Sequence, residues 1–391
     1  KAIVWDASAG TGNLMRTSEY PQDKLYLSTL LDEDVSSLKN TYPDATVFQL
    51  DFVNGLDYDE YNMDFSAKLP DNLRTALTND EPIVFFMNPP YKVGNKSSTD
   101  MGTLMSKEGM NRCSSDLLYQ FLYRILLLKE TYRLTRVYIG LYSGTTFMIS
   151  PMFKPILDAF QNEFTYDNGF MFLSNDFVNT SISLSRVMAF TCWKPRGIRD
   201  MRSPFRMDVM LSVDEATTKK IGEHILKAPE HRLSEWVQPT DLADTVVLPV
   251  YCTNTENKPV MTITDEAFKK DYFQYRYPGD TYDVSYENAM GHMCVQDVVL
   301  QGVQMTGIVN GAGADTVPIT KENFLRAVAS YSSRMCYKRV FDPYNNWQYF
   351  SAPSCDLTNP RYKEWVFNSV VLFLMDWGNY FHSFRRLKNN D

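Results

Sequence analysis

Over its first 195 residues this chain alternates short apolar runs with helical patterns, and that alternation leaves few folds open. Runs at 2–5, 24–31, 45–50, 83–87 and 136–142 read as strands. Between them, 14–19, 33–41, 66–77, 115–130 and 151–161 carry helical spacing, the last with Pro151 early in its first turn. Two later runs, 170–173 and 182–193, are separated by Asn175, Asp176, Asn179 and Thr180 and predict an antiparallel pair that closes the sheet edge. The fold class expected is α/β, a doubly wound parallel sheet that binds ligands beyond the carboxyl ends of its strands.

Two turns fall at such ends. After the first strand comes Asp6-Ala7-Ser8-Ala9-Gly10-Thr11-Gly12, and after the fourth comes Asn88-Pro89-Pro90-Tyr91. Gly10 and Gly12 allow a sharp turn and a close approach of backbone to a ligand. No Gly-Lys-Ser/Thr follows, which disfavours a P-loop, and Met15 stands where a dinucleotide motif has its third glycine. In the second turn, Asn88 offers a side-chain carbonyl and Pro89 a main-chain carbonyl as acceptors. The paired prolines stiffen the backbone without adding a competing N–H. Tyr91 offers a ring face for stacking. The alternative reading is an ordinary proline-stiffened turn.

These residues resemble the amino-methyltransferases that use S-adenosylmethionine, most closely the DNA adenine-N6 methyltransferases with a carboxyl-terminal target-recognition domain. The resemblance covers residues 1 to about 193 and implies a seven-stranded, Rossmann-like methyltransferase sheet. It implies that Asp6, Ala7, Gly10 and Gly12 lie along the methionine and ribose parts of the cofactor. It also implies that Asp51 accepts from the cofactor's adenine amino group while Phe52 packs on the ring. For Asp51 a capped strand end is an equal reading of the residue alone. The acidic residue that takes the ribose hydroxyls in this family has Leu30 in its place here, with Asp32 or Glu33 next in line. Asn88, Pro89, Pro90 and Tyr91 are the implied catalytic group, gripping a base that must be flipped out of duplex DNA to be reached. A family element upstream of the first strand has no counterpart in this sequence. The abrupt start on a core strand leads to the expectation that an amino-terminal part is missing.

The remaining features bound this reading. A net charge of -8 argues against a protein that simply coats phosphates, though a local basic channel stays open to it. Six cysteines form no CxxC pair and four histidines add no zinc spacing, so no metal site is expected. No membrane segment is expected, and the location expected is cytoplasmic. The loop 92–112, with Gly94, Gly102 and Gly109, reads either as a lid or as a surface loop.

A break at Lys194-Pro195-Arg196-Gly197 divides the chain into a catalytic domain, 1–195, and a mixed α+β domain, 196–391, assigned to target recognition by position. In the second part, 217–226, 322–331 and 365–381 read as helices and 245–251 as a strand. Lys194, Arg196, Arg199, Arg202 and Arg206 form a basic cluster that reads as a phosphate contact beside the active site or as a solvated linker. Phe177 reads as a core aromatic or as the far wall against a flipped base. The segment 337–350, rich in aromatics, amides and cations, reads as a core hairpin or a base-reading element. Expected partners are double-stranded DNA and restriction or specificity subunits. Two rival functions remain: a protein-glutamine methyltransferase, whose amide substrate needs the same grip, and a non-catalytic DNA-binding or scaffold subunit.

Overall fold

A computed structural model of the protein describes residues 1–55, 68–90, 99–150, 153–174, 187–197, 204–212, 217–226, 233–239, 247–249, 284–286, 291–295, 306–309, 316–337, 352–353, 357–371 and 373. The chain divides into two compact units, Lys1–Ala228 and Pro229–Asp391.

The first unit is built on strands β1 (Ile3–Asp6), β2 (Leu25–Thr29), β3 (Thr46–Gln49), β4 (Ile83–Met87), β5 (Val137–Gly144), β6 (Phe164–Leu173), β7 (Val187–Pro195), β8 (Phe205–Ser212) and β9 (Thr218–Leu226). Its helices are α1 (Asp32–Thr41), α2 (Asp71–Thr78), α3 (Asp100–Lys107), α4 (Leu117–Thr131), α5 (Thr146–Ile149) and α6 (Lys154–Glu163). The strands form one sheet in the order β3-β2-β1-β4-β5-β7-β6-β8-β9. From β1 to β5 all pairings are parallel, whereas β7 runs antiparallel to both β5 and β6. The first seven strands are thus the doubly wound, Rossmann-like sheet expected.

Successive side chains of β1 point to opposite faces and meet different partners. On one face Val4, Leu25, Leu27 and Val47 pack under Val35 and Leu38 of α1. On the other, Trp5 lies 5.2 Å from Phe85 and 5.6 Å from Phe52, which in turn stacks 5.0 Å from Phe121 of α4. Further along, Trp193 of β7 meets Phe160 of α6 at 5.0 Å. The long apolar stretch of α4 forms because it is covered over most of its circumference, with nine of its residues buried.

Four expectations need correction. The antiparallel pair does not close the sheet, because β8 continues it parallel to β6 and β9 runs antiparallel to β8. Lys194-Pro195-Arg196-Gly197 therefore ends a strand, and the first unit extends past 195 through this hairpin. Of the helix expected at 217–226, Thr218–Leu226 form β9 instead. Most of its side chains are exposed, so no helical face has a core to bury, and the ladder with β8 satisfies the backbone instead. The short helix expected at 14–19 shrinks to a 3-10 turn, Asn13–Met15.

The second unit is mixed, as expected. Among its described residues, a two-stranded antiparallel piece (Val247–Pro249 with Val284–Tyr286) accompanies a three-stranded one centred on Gly291–Val295. Helices cover Phe324–Tyr337 and 360–371. Met293, Val317, Ile319, Val328, Tyr331 and Phe373 share its core. Buried Asn323 ties the pieces together, donating to the carbonyls of Val237 and Pro318 and accepting from Thr320 N–H. Of the aromatic segment 337–350, residues 338–350 lie outside the described residues.

Candidate active site

The strand order reverses direction between β1 and β4, the point at which open α/β sheets leave a crevice. Their register aligns Trp5 with Phe85, so two residues further on Ala7 is level with Met87. Neighbouring strands lie about 4.8 Å apart. The glycine turn and the Asn-Pro-Pro turn therefore leave adjacent strands at one edge of the sheet. Asn88 and Pro90 are exposed there, with Pro89 buried between them. Tyr91 lies outside the described residues.

Inside the glycine turn the backbone is left-handed at Gly10 (φ +50°) and Gly12 (φ +81°). The two positions differ in surroundings. A Cβ at Gly12 would come within 2.6 Å of Leu38 Cδ2 and 2.7 Å of Tyr42 Cε2, while one at Gly10 would meet nothing within 4 Å. Gly12 turns inward onto α1 and Gly10 faces open space, which leaves room for a ligand against the backbone. The turn is tied to β2 by Ala9 N–H donating to the Ser28 carbonyl at 3.0 Å, and beneath it the Trp5 indole donates to Ser28 Oγ at 3.0 Å.

Asp6 is 1% exposed at the end of β1. Its carboxylate accepts from Ser8 N–H at 3.0 Å. Burial nevertheless pushes its pKa up to about 7. A carboxyl held near neutrality beside an open glycine turn can ionise when a cation arrives.

At the next strand ends the picture is mixed. Leu30, just beyond the end of β2, is 58% exposed, and its carbonyl accepts from Gln49 Nε2 at 2.9 Å. Asp32 is exposed in the first turn of α1, so its carboxylate is accessible. Asp51 is half-buried and caps its own loop. Its Oδ1 accepts from the N–H groups of Val53 and Asn54, and its Oδ2 from Asn54 Nδ2 at 2.8 Å. Oδ1 is filled by its two donors, while Oδ2 accepts one bond and keeps a further lone pair, so this capping does not exhaust the carboxylate. Phe52 is 2% exposed, packed between Trp5 and Phe121. In this arrangement it is a core residue rather than an open ring face.

The expected loop 92–112 is largely replaced by structure. Residues 100–107 form α3, capped by Thr99 Oγ1, which accepts from Gly102 N–H, and Met101 and Met105 are fully buried. At Gly102 a Cβ would lie 2.7 Å from the Ser114 carbonyl, so α3 is seated tightly and is no lid. Gly94 lies outside the described residues.

The basic cluster also moves. Because β7 runs antiparallel to β5, with Trp193 level with Ile139, its carboxyl end lies at the opposite edge of the sheet from Asn88. Lys194 sits there in an ion pair with Asp167 at 3.0 Å, and Arg196 is anchored to the Gln161 carbonyl and, through its N–H, to Glu163. Arg206 lies in β8, paired with Glu223. Neither Lys194 nor Arg196 is beside the candidate site. Arg199 and Arg202 lie outside the described residues. So does Phe177, although the chain leaves β6 and enters β7 at the same edge as Asn88.

What the sequence reading missed is the scaffold of the 51–55 loop. Fully buried Arg124 of α4 donates to the carbonyls of Phe52 (2.9 Å) and Asn54 (3.0 Å), and Asp100 accepts from Gly55 N–H at 2.6 Å. The available signal was a lone cation inside the apolar run Leu117–Leu128. Among the described residues no group of three His, Cys, Asp or Glu could hold a metal ion, and no helix is long and apolar enough to cross a membrane.

No protein-family model matches the chain, and no curated protein does. Solved structures similar to it include a TehB-like SAM-dependent methyltransferase from Corynebacterium glutamicum, at 12% identity and TM-score 0.25, covering 50% of this chain and 80% of that one. The type IIG restriction endonuclease BpuSI is similar at 11% identity and TM-score 0.35, covering 57% and 28%. The type IIL restriction-modification enzyme MmeI, solved with DNA, is similar at 10% identity and TM-score 0.33, covering 64% and 37%. The chain thus spans well under half of the two restriction enzymes. Overall superposition is weak in all three, and function rests on the residues of this chain.

Proposed function

We propose that this chain is the methyltransferase portion of a restriction-modification or phage-defence protein, with S-adenosylmethionine as cofactor and the N6 amine of a flipped adenine in DNA as acceptor. One observation carries the reading: the glycine turn and the Asn-Pro-Pro turn leave adjacent parallel strands at the reversal point of the sheet. When bound, S-adenosylmethionine supplies a methyl group on a positively charged sulfur that leaves as a neutral thioether.

The residues present fit such a group. Gly10 leaves open space against the backbone, Asp6 is a buried carboxyl able to answer a positive charge, and Asp51 retains acceptor capacity. The difficulty of the reaction lies with the acceptor, whose nitrogen lone pair is delocalised into the ring. Asn88 Oδ1 and the Pro89 carbonyl, aimed at the two amine hydrogens, would draw that nitrogen toward a tetrahedral shape and hold it in place for transfer. With the cofactor bound, its methyl group would pass to the nitrogen held by Asn88 and Pro89, and the proton that nitrogen gives up would go to solvent. In this reading residues 229–391 serve target recognition, and partners are double-stranded DNA with restriction or specificity subunits.

The test is incubation with radiolabelled S-adenosylmethionine and unmethylated genomic DNA, followed by nucleoside analysis. Label in N6-methyladenine is the expected result. Label in N4-methylcytosine or only on protein would shift the acceptor, and no cofactor binding by calorimetry would favour a scaffold role.

A further inference from the structure

The loop that follows β3 is held from outside by two elements that the reaction itself does not call for. Its three central carbonyls are all taken. Arg124 donates to those of Phe52 and Asn54, at 2.9 and 3.0 Å, and Met101 N–H donates to that of Val53 at 3.0 Å. From the start of α3, Asp100 N–H donates to Asn54 Oδ1 at 2.8 Å, and Asp100 Oδ2 accepts from Gly55 N–H at 2.6 Å. Asn54 passes the constraint on, its Nδ2 donating to Asp51 Oδ2 at 2.8 Å. A continuous hydrogen-bonded path thus runs from Asp100 through Asn54 to the Asp51 carboxylate.

Burying a guanidinium is costly unless its donors are well used. Here the Arg124 fork fixes the main chain on either side of Val53, in a loop whose Phe52 and Val53 side chains are already held by burial while Asp51 and Asn54 stay half-buried. The arrangement fixes the direction in which Asp51 presents the remaining lone pair of Oδ2. Asp100 follows the Asn88 turn by twelve positions (100 − 88), so one short stretch of chain joins that turn to the strut under Asp51.

We infer that Asp100, Asn54 and Arg124 are positioning residues that aim Asp51 at the six-amino group of the cofactor's adenine. The inference rests on the function proposed above and adds to it a specificity device outside the ligand-facing residues. Asn54 is half-buried and its side chain makes both links of the path, accepting from the main-chain N–H of Asp100 and donating to Asp51, so Asn54→Ala is the variant of choice. Arg124→Lys, which retains one donor, is the conservative companion.

The experiment titrates S-adenosylhomocysteine and its purine analogue lacking the six-amino group into each protein by calorimetry, with thermal melting alongside. The wild-type protein is expected to prefer the amino compound by about tenfold, the worth of one hydrogen bond to a charged group. In Asn54→Ala that preference collapses toward one, whereas Asp100→Asn, which keeps its main-chain N–H and still accepts from Gly55 N–H, retains most of it. Equal weakening of both ligands, or an unchanged preference, would overturn the inference while leaving the function intact. Absence of binding by the wild-type protein would remove both. An Asn54→Ala protein that fails to fold transfers the same ratio test to Asp100→Ala, which frees Gly55 N–H, and an unchanged preference there is equally fatal.

Discussion

The Tyr42 hydroxyl at the end of α1 donates to the carbonyl of Gly12 at 2.6 Å, and its ring fills the space that a side chain at position 12 would need. One tyrosine thus fixes the glycine turn from behind, while the front of the turn at Gly10 stays open. The two glycines are therefore not equivalent. Gly12→Ala combines a left-handed backbone with overlap against Leu38 and Tyr42, and is expected to cost about 2–4 kcal/mol in urea denaturation. Gly10→Ala carries only the backbone penalty, about 1–2 kcal/mol, yet is expected to abolish cofactor binding by filling the open side. Equal losses of stability at the two sites would contradict this division.

Stability should fall with rising pH because of Asp6. Its pKa is about 7 in the folded protein, through burial, against about 4 when unfolded. Between those values the unfolded chain has lost a proton that the folded chain keeps, so stability is greatest at the acid end and declines until about pH 7. Asp116, raised to about 6 by burial, adds a slope of the same sign at lower pH. In melting experiments from pH 4.5 to 8, Asp6→Asn should flatten the upper part of the decline, between about pH 6 and 7. A variant that keeps the full slope there would remove Asp6 as its source.

Asn88→Ala should lower methyl transfer by about a hundredfold or more, the scale associated with lost orientation and lost acceptor contacts. Its exposure at a strand end predicts little change in melting temperature. Cofactor affinity should be unaffected. Retained turnover would mean that the Asn-Pro-Pro turn is structural and that the acceptor is held elsewhere.

The residues that punctuate strands were the legible ones. Asn88 and Gly12 could be placed because a periodic apolar run fixes where a strand ends, whereas the strand order that sets their turns side by side came only from the structure. Contacts between elements far apart in sequence were not legible. Arg124 reaches the 51–55 loop from α4, and nothing local marks a helix arginine as a partner of carbonyls 70 and 72 positions away. Lys194 and Arg196 misled for a related reason. Their composition suggested a linker beside the site, but strand direction, which the antiparallel pairing of β7 with β5 decides, carried them to the other edge. The β9 segment was misread because Ile221 and Ile225 have helical spacing, while pairing with β8 overrode that local preference.

Leu30 offers the sharpest test of where a ribose would lie. It is 58% exposed just beyond the end of β2, where the family places an acidic side chain, so a carboxylate introduced there would stand in solvent with no core to disrupt. Leu30→Asp should therefore fold normally and bind S-adenosylhomocysteine about tenfold more tightly, the gain from a hydrogen bond to a charged acceptor. The gain should vanish with the 2′,3′-dideoxy analogue, which has no hydroxyls to donate. Tightening that persists with the dideoxy ligand, or no tightening at all, would mean that the ribose hydroxyls are met elsewhere, with Asp32 in the first turn of α1 the next residue to substitute.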